Sequence, residues 1–471
     1  MMRFVRVAIA VMGVTLVGCT TGPDYKRPLV QTPANFRSPS PLPPPEAGSL
    51  ADLKWFEVFK DQKLQELVRV ALVQNYDLRD AVVRVEQARA NLGITRSSQF
   101  PQFTGSGALE VTRLSRGGQT PLPASFLPNQ NRDWGQSTLN LLSFEVDIWG
   151  RLRRSTEASR ADLLNAVENR KAVVTTLVSD VASNYFNLLQ LDYELEISQS
   201  TLDTREASLK LTHERNGGGV ATLLALRQAE QLVATAAQTI PALQQQIEQT
   251  ENQISLLIGR NPDRVVRGRR FMEQEILPEV PAGMPSSLLD RRPDIRAAEQ
   301  ALMAANANIG VAKAAYFPQI SLSGFLGGQS NQLSSLFSGP HSAWSFVPQV
   351  TQPVFTAGRL KSNVQVAEAQ RERALIQYEK VIQIAFTEVS NGLIAHQRTR
   401  ESRLQEEKLV ASIEDRKRLA YLRYRGGVDT QLNALDADRD LFQAQLTLAQ
   451  IRLNELLSVV QLYKALGSGW Q

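Results

Sequence analysis

The stretch ARANLGITRSSQFPQFTGSG, residues 88–107, returns as ANANIGVAKAAYFPQISLSG at 305–324. Ala88 and Ala305, Asn91 and Asn308, Gly93 and Gly310, and the Phe-Pro-Gln at 100–102 and 317–319 coincide. Two later matches keep the order: Gly150-Arg151-Leu152 with Gly358-Arg359-Leu360, and Gly218-Gly219-Val220 with Gly426-Gly427-Val428. The separation stays near 208 to 217 residues, so the chain reads as a tandem duplication. Each copy runs helix, FPQ, short alternating segments, GRL, long helix, GGV, long helix.

After each FPQ the hydrophobic period becomes two. Phe103, Leu109 and Val111 alternate with Thr104, Glu110 and Thr112, and Leu142, Phe144, Val146 and Ile148 with Ser143, Glu145 and Asp147. In the second copy Ile320 and Leu322 alternate with Ser321 and Ser323, and Trp344, Phe346 and Val350 with Ser345, Val347 and Thr351. These segments predict four strands, at about 102–113, 137–149, 319–328 and 344–354, each with one apolar and one polar face. Loops rich in Gly, Pro, Asn and Ser divide each pair.

After each GRL the period lengthens to seven. Val167, Val174, Val181, Leu188, Leu195, Leu202 and Leu209 form one stripe; Leu226, Val233, Ile240, Ile247 and Ile254 form the return, with Pro241 expected to kink it. Leu435, Phe442, Ala449, Leu456 and Tyr463 repeat the pattern in the last helix. From Leu152 to His213 is about 62 residues, or ~93 Å, which suits a helix crossing a compartment. Gly218, Gly219 and Val220, and Gly426, Gly427 and Val428, mark the hairpin tips, because glycine takes the left-handed cap conformation without penalty.

The chain has one cysteine, Cys19, which excludes an internal disulfide or a multi-thiolate metal site. Arg3 and Arg6 precede an apolar run from Val7 to Val17, too short to span a bilayer as an ordinary helix, and the pattern reads as a signal peptide over 1–18. Leu16-Val17-Gly18-Cys19 is similar to a bacterial lipobox, which implies a lipid on Cys19; Thr20 in the next position implies export to the outer membrane. Eight of the 22 prolines fall between Thr20 and Ser49, an extended tether. A formal charge of +5, with both signs dispersed, gives no reason to expect nucleic acid as a partner. Arg151, Arg153 and Arg154 form a short cluster, read as a solvated or headgroup-facing patch.

Alternating strands in an exported, lipid-anchored chain point to a membrane barrel, which must close because lipid cannot satisfy an open edge. Four strands cannot close alone, so several copies must each contribute four, with Glu110, Glu145 and Asp147 as candidates to line a wet lumen. At this point the chain resembles the TolC-like outer-membrane efflux channels, specifically the NodT-like or OprM-like lipoprotein branch. The resemblance rests on LVGCTTGPDYKRP (16–28), RRPDIRAAEQALMAANANIGVAKAAYFPQISLSG (291–324), GRL, GGV and YRGGVDTQLNALDADRDLFQAQLTLAQIRLNELLSVVQLYKALGSGW (424–470).

The resemblance implies an α+β membrane protein: a homotrimeric 12-stranded outer-membrane β-barrel, four strands per protomer, continued by a long periplasmic α-helical coiled-coil barrel. Its implied organisation is a signal (1–18), a lipid-anchored Pro-rich segment (19–60), a first repeat (61–260), an equatorial linker (261–292), a second repeat (293–466) and a tail (467–471). Implied partners are a periplasmic adaptor and an inner-membrane efflux pump, with outer-membrane lipid around the barrel. The channel would conduct drugs or other small solutes passively, with no cofactor beyond the lipid. Leu432 and Asp436 match the family's hydrophobic and acidic gate rings, and a spacing of four puts them on one helix face. The best-known TolC member has a second acid where this chain has Asn433, which weakens the expectation of a second acidic ring. Adaptor contact at the GGV tips is expected to untwist the helices ending at Arg215 and Arg425 and so open the gate.

Enzymes are disfavoured: His213, His341 and His396 are scattered, and no Gly-x-Ser-x-Gly or phosphate loop occurs. A periplasmic coiled-coil adaptor lipoprotein would leave the duplicated strands unexplained. Channels dedicated to metal-ion efflux or to protein secretion are narrower alternatives; three His and six Met form no soft-ligand cluster, and no resident metal is expected.

Overall fold

The computed structural model describes residues 20–39, 50–113, 131–275 and 283–470. The signal segment, Cys19, residues 40–49 of the Pro-rich tether, the loop at 114–130, residues 276–282 of the linker and Gln471 lie outside the described residues. The principal elements are α1 (Gln62–Gln74), α2 (Tyr76–Ser97), β1 (Phe103–Arg113), β2 (Asn131–Glu145), α3 (Arg151–Gly217) and α4 (Leu223–Leu257). They continue as α5 (Pro293–Ala314), β3 (Gln319–Ser330), β4 (Ser342–Thr351), α6 (Arg359–Arg425) and α7 (Gln431–Ala465). α3 and α6 each have 67 residues, and α4 and α7 each have 35. α4 continues as one helix through Pro241.

Two compact units divide the chain: residues 1–28, 85–165 and 298–378 in one, and 29–84, 166–297 and 379–471 in the other. The first unit holds an antiparallel sheet of order β1-β2-β3-β4. One face presents Phe103, Leu139, Leu326 and Trp344, and the other Thr104, Ser106, Asn140 and Ser345, as the register Phe103↔Leu141, Leu139↔Leu326↔Trp344 and Thr104↔Asn140 requires. Polar side chains bond across the second face: the Ser106 and Thr138 hydroxyls lie 2.8 Å apart, and Asn140 Nδ2 donates to Ser106 Oγ at 2.9 Å. Phe103, Leu109, Leu139, Leu326, Trp344, Phe346 and Val350 remain exposed in the single chain.

Two features of β2 depart from the alternation in the sequence. It starts at Asn131, not near 137, because β1 supplies a continuous partner ladder down to Arg113↔Asn131. A register shift between Leu141 and Phe144 then changes the phase, so that Leu139 and Leu141 share a face with Phe144. Pairing fades after Val146, whose N–H donates to Ile320 O at 2.9 Å. Asp147 lies beyond the strand and caps α3, accepting from the Leu152 N–H at 3.2 Å and the Arg153 N–H at 2.9 Å. β4 correspondingly stops at Thr351.

Residues 20–28 form a strap on the same unit. Thr21 N–H donates to Trp149 O at 3.0 Å, Asn306 Nδ2 to Pro23 O at 2.8 Å, and Arg154 Nη2 reaches Asp24 at 2.7 Å. The strap comes so close to α5 that a Cβ on Gly310 would meet Thr21 O at 2.6 Å. Arg151 and Arg153 are also paired, with Glu145 at 2.5 Å and Asp147 at 3.3 Å. The basic cluster is therefore neutralised by local acids and by the strap.

The second unit carries the main core. Val178, Val181, Tyr185 and Leu188 of α3 pack with Ile254 of α4 and with Ala449, Leu456 and Tyr463 of α7. Asp61 caps α1 through the Lys63 and Leu64 N–H groups and also accepts from Tyr185 Oη, the Arg269 N–H and Gln274 Nε2. Asn75 caps α2 through the Leu78 N–H and donates to Leu257 O, joining the α1–α2 corner to the end of α4. The C-terminal end is held by Arg292 Nη1, which donates to Ala465 O at 2.9 Å, and by Lys171 over the Trp470 ring.

Candidate functional site at the helix tips

Both tips use the same backbone solution. At the end of α3 the Gly218 N–H donates to Glu214 O, Gly219 to Asn216 O and Val220 to Arg215 O. At the end of α6 the Gly426 N–H donates to Leu422 O, Gly427 to Tyr424 O and Val428 to Arg423 O. Gly219 and Gly427 both have φ +74°, while a Cβ on either would meet nothing within 4 Å. Conformation, not space, requires glycine there. Val220 and Val428 are 81% and 68% exposed, and Leu223, Leu224 and Leu432 are exposed beside them. An apolar surface of this kind at a turn invites a partner.

The tips differ in chemistry. After the second, Asp429 accepts from the Thr430 N–H at 2.8 Å, Arg423 Nε at 3.0 Å and Asn433 Nδ2 at 2.7 Å. These donors, the backbone N–H first, hold its carboxyl below the usual carboxylate range. The first tip has Ala221 there, its carbonyl taking a bond from Asn216 Nδ2. Gln431 Nε2 donates to Thr212 Oγ1 at 2.6 Å, and the Arg215 guanidinium lies over the Tyr424 ring, so the two tips touch.

Of the expected gate residues, Leu432 is exposed in the first turn of α7, and Asp436 pairs with Arg439 on its own helix at 3.1 Å. Beneath them lies a group that the sequence reading passed over. Asp438, 1% exposed at its side chain, receives Arg205 Nε of α3 at 2.8 Å and Lys417 Nζ of α6 at 2.6 Å. Arg205, 3% exposed, also donates to Leu232 O of α4, stacks on Phe442 and leaves Nη2 without a hydrogen-bond partner. All four tip helices therefore meet at one buried charge cluster. Burial, then the Asp438 charge, raises the Tyr421 hydroxyl above its ordinary pKa. A sequence signal existed: Arg205 and Asp438 each stand three residues after a heptad leucine, Leu202 and Leu435, where an apolar side chain is the norm.

The lumen candidates are separated. Glu110 stands opposite Trp134 and accepts from Thr112 Oγ1. Glu145 ends β2 and accepts from Arg151 and Gln319, while Asp147 is the α3 cap. Among the described residues, no group of three or more His, Cys, Asp or Glu is arranged to hold a metal ion, and no helix is long and apolar enough to cross a membrane.

Comparison with known proteins addresses the whole chain. The family model described as "Outer membrane efflux protein" matches residues 67–260 and 284–468. The toluene efflux pump outer membrane protein TtgC of Pseudomonas putida is 37% identical over 471 residues, covering 98% of this chain and 95% of that protein. The cation efflux system protein CusC of Escherichia coli is 34% identical over 462 residues, with 98% of each chain covered. The open-state structure of the Neisseria gonorrhoeae MtrE outer membrane channel superposes with a TM-score of 0.86 at 32% identity, covering 96% of this chain and 99% of that one. The chain belongs to the outer membrane efflux protein family and is an outer-membrane efflux channel.

Proposed function

We propose that three copies of the chain close one twelve-stranded barrel in the outer membrane, that their long helices form a periplasmic tunnel, and that Cys19 carries the lipid. The observation that carries this reading is the sheet. Among the described residues β1 pairs only with β2 and β4 only with β3, so neither outer edge has a partner there, and one broad face of apolar side chains is uncovered. An open edge is an aggregation hazard in water and is not tolerated in lipid. Joining β4 of one copy to β1 of the next removes both edges and leaves the Thr104, Ser106 and Asn140 face lining the pore.

The pump supplies the energy and the channel passes solute passively. The apolar GGV tips receive a periplasmic adaptor, itself bound to an inner-membrane pump. Leu432 and Asp436 close the tunnel, and adaptor binding turns the tip helices so that these side chains leave the axis. Relatives named for toluene efflux and for cation efflux indicate that cargo class varies among channels of this kind. Small organic solutes are the reading favoured here, because the described residues offer no metal-ligand cluster along a conduction path.

A cysteine pair tests closure. Phe103→Cys with Val350→Cys places one thiol at the periplasmic end of each open edge, both on the apolar face. Oxidation in outer-membrane fractions is expected to give a covalent trimer that resists boiling in detergent. Monomer alone, from protein correctly inserted in the membrane, would sink the barrel. For the gate, planar-bilayer recordings of Leu432→Ala and Asp436→Ala should show raised conductance; channels as tightly closed as wild type would remove these residues from the gate.

A further inference from the structure

The two strand-to-helix junctions of the first unit occupy equivalent places in the repeat but are equipped differently. Shifting by 208 residues lays Glu145 on Pro353, Asp147 on Phe355, Trp149 on Ala357, Arg151 on Arg359 and Arg153 on Lys361. The cations are kept in both junctions, and both acids are lost from the second.

At the first junction the cations and the aromatic ring all have partners. Arg151 and Arg153 are bound to Glu145 and Asp147, and Trp149 stacks on Phe317 at 4.6 Å with its indole N–H on Pro318 O. Thr20 and Thr21 of the strap lie on Gly150 and Trp149.

At the second junction Gln352 Nε2 donates to Tyr316 O at 3.1 Å, but most residues from Val354 to Arg359 are exposed. Val354 is 95% exposed and Phe355 87%, consecutive residues just past the end of β4. Arg359 and Lys361 are exposed, and among the described residues neither has an ion-pair partner. Ala357, with φ +47°, and Gly358, with φ +87°, make the turn between these apolar and cationic residues.

We propose that this second junction is a docking surface for the membrane leaflet at the periplasmic end of the barrel. Val354 and Phe355 enter the boundary between acyl chains and headgroups, and Arg359 and Lys361 hold the phosphates of anionic phospholipids. Two features of the junction select this occupant. The exposed apolar band of β4, Trp344, Phe346 and Val350, leads directly into Val354 and Phe355, so the lipid-facing surface continues past the last paired residue. The cations come next along the chain, where a bilayer changes from hydrocarbon to anionic headgroup, and no acid among the described residues pairs with them. An apolar pair followed by unpaired cations matches a lipid interface in both respects. The proposal rests on the barrel reading given above.

The test uses the full-length protein in vesicles of phosphatidylethanolamine alone, or of an equimolar mixture with phosphatidylglycerol. A nitroxide on Phe355→Cys reports its surroundings through collision with oxygen and with an aqueous nickel chelate. Lipid retained by the trimer, measured by native mass spectrometry, reports headgroup preference. We expect a label that meets oxygen and is shielded from nickel, and enrichment of phosphatidylglycerol by wild type. That enrichment should fall about five-fold for each cation removed in Arg359→Gln and Lys361→Gln. Arg151→Gln and Arg153→Gln should leave it unchanged. A label open to nickel, a label shielded from both reagents by a neighbouring copy, or full enrichment in the Arg359→Gln/Lys361→Gln protein would each overturn the proposal. Failure to find a heat-modifiable trimer in the vesicles would instead defeat the barrel reading, and the proposal with it.

Discussion

Substituting Arg205 by methionine tests how far the buried charge cluster holds the tip helices together. The methionine occupies much of the same volume but leaves Asp438 with Lys417 as its remaining cationic contact, at 2.6 Å. Removing one partner of a buried ion pair costs about 3–5 kcal/mol, because the other charge is left without compensation. Lys417 still offsets part of that loss, so the lower limit of about 3 kcal/mol applies. Spread over the contacts of α3, α4, α6 and α7, this should appear as hydrogen exchange on the order of a hundredfold faster at residues 200–215 and 431–445 of the purified protein. Amides near Tyr185 and Ile254, in the main core, should be unaffected. A second variant removes the ambiguity: Arg205→Met with Asp438→Leu eliminates the orphaned charge and should recover most of the lost protection. Because Asp438 stands two residues from Asp436 of the proposed gate, the single variant should also raise the frequency of open events in planar bilayers, and the pair should lower it again. Unchanged exchange in the single variant, or a double variant no better protected than the single, would refute the reasoning.

Other expectations follow from the same geometry. Gly219→Ala and Gly427→Ala force alanine to a positive φ and should each destabilise a tip by about 1–2 kcal/mol, whereas Gly218→Ala should be tolerated; exchange at the tips separates the cases. Asp429 has a lowered pKa, so its stabilisation is present above the ordinary carboxylate pKa and lost as pH falls through the lowered value. Exchange at 426–432 should therefore accelerate only in strongly acidic buffer in wild type, but already at neutral pH in Asp429→Ala; equal profiles would remove Asp429 from the tip. Gly310→Ala drives a methyl group toward Thr21 O and Arg154 and should lift the strap, seen as faster tryptic cleavage after Lys26; unchanged digestion would show that the strap is held elsewhere.

What could be read in advance was what recurs along the chain. Period-two segments announced the strands, heptads the long helices, and paired glycines their ends, because each is a local pattern with a local cause. What escaped depends on partners distant in sequence. The start of β2 at Asn131 follows from β1, since Asn-Arg-Asp-Trp-Gly-Gln has no alternation of its own. Asp147 fitted the numerical alternation of a strand, yet its carboxylate is better used on the orphan N–H groups of α3. Arg205 and Asp438 lie 233 residues apart and acquire meaning only as a pair. Seen singly, each is a charge at a heptad core position with nothing nearby in the sequence to name its partner.

The surplus residue in β2 has a consequence for how the sheet hands over to α3. Leu141 faces Gly324 and Phe144 faces Leu322, so three steps on β2 answer two on β3. Deleting Ser143 would make the ladder regular and still leave Phe144 opposite Leu322 and Glu145 opposite Ser321. The chemistry of both faces would be preserved. What the deletion would remove is the local bend and added twist of a bulge, one residue before Phe144 and eight before α3 begins at Arg151. In that sense one extra amino acid works as a wedge within β2, bending the strand shortly before the chain turns into α3.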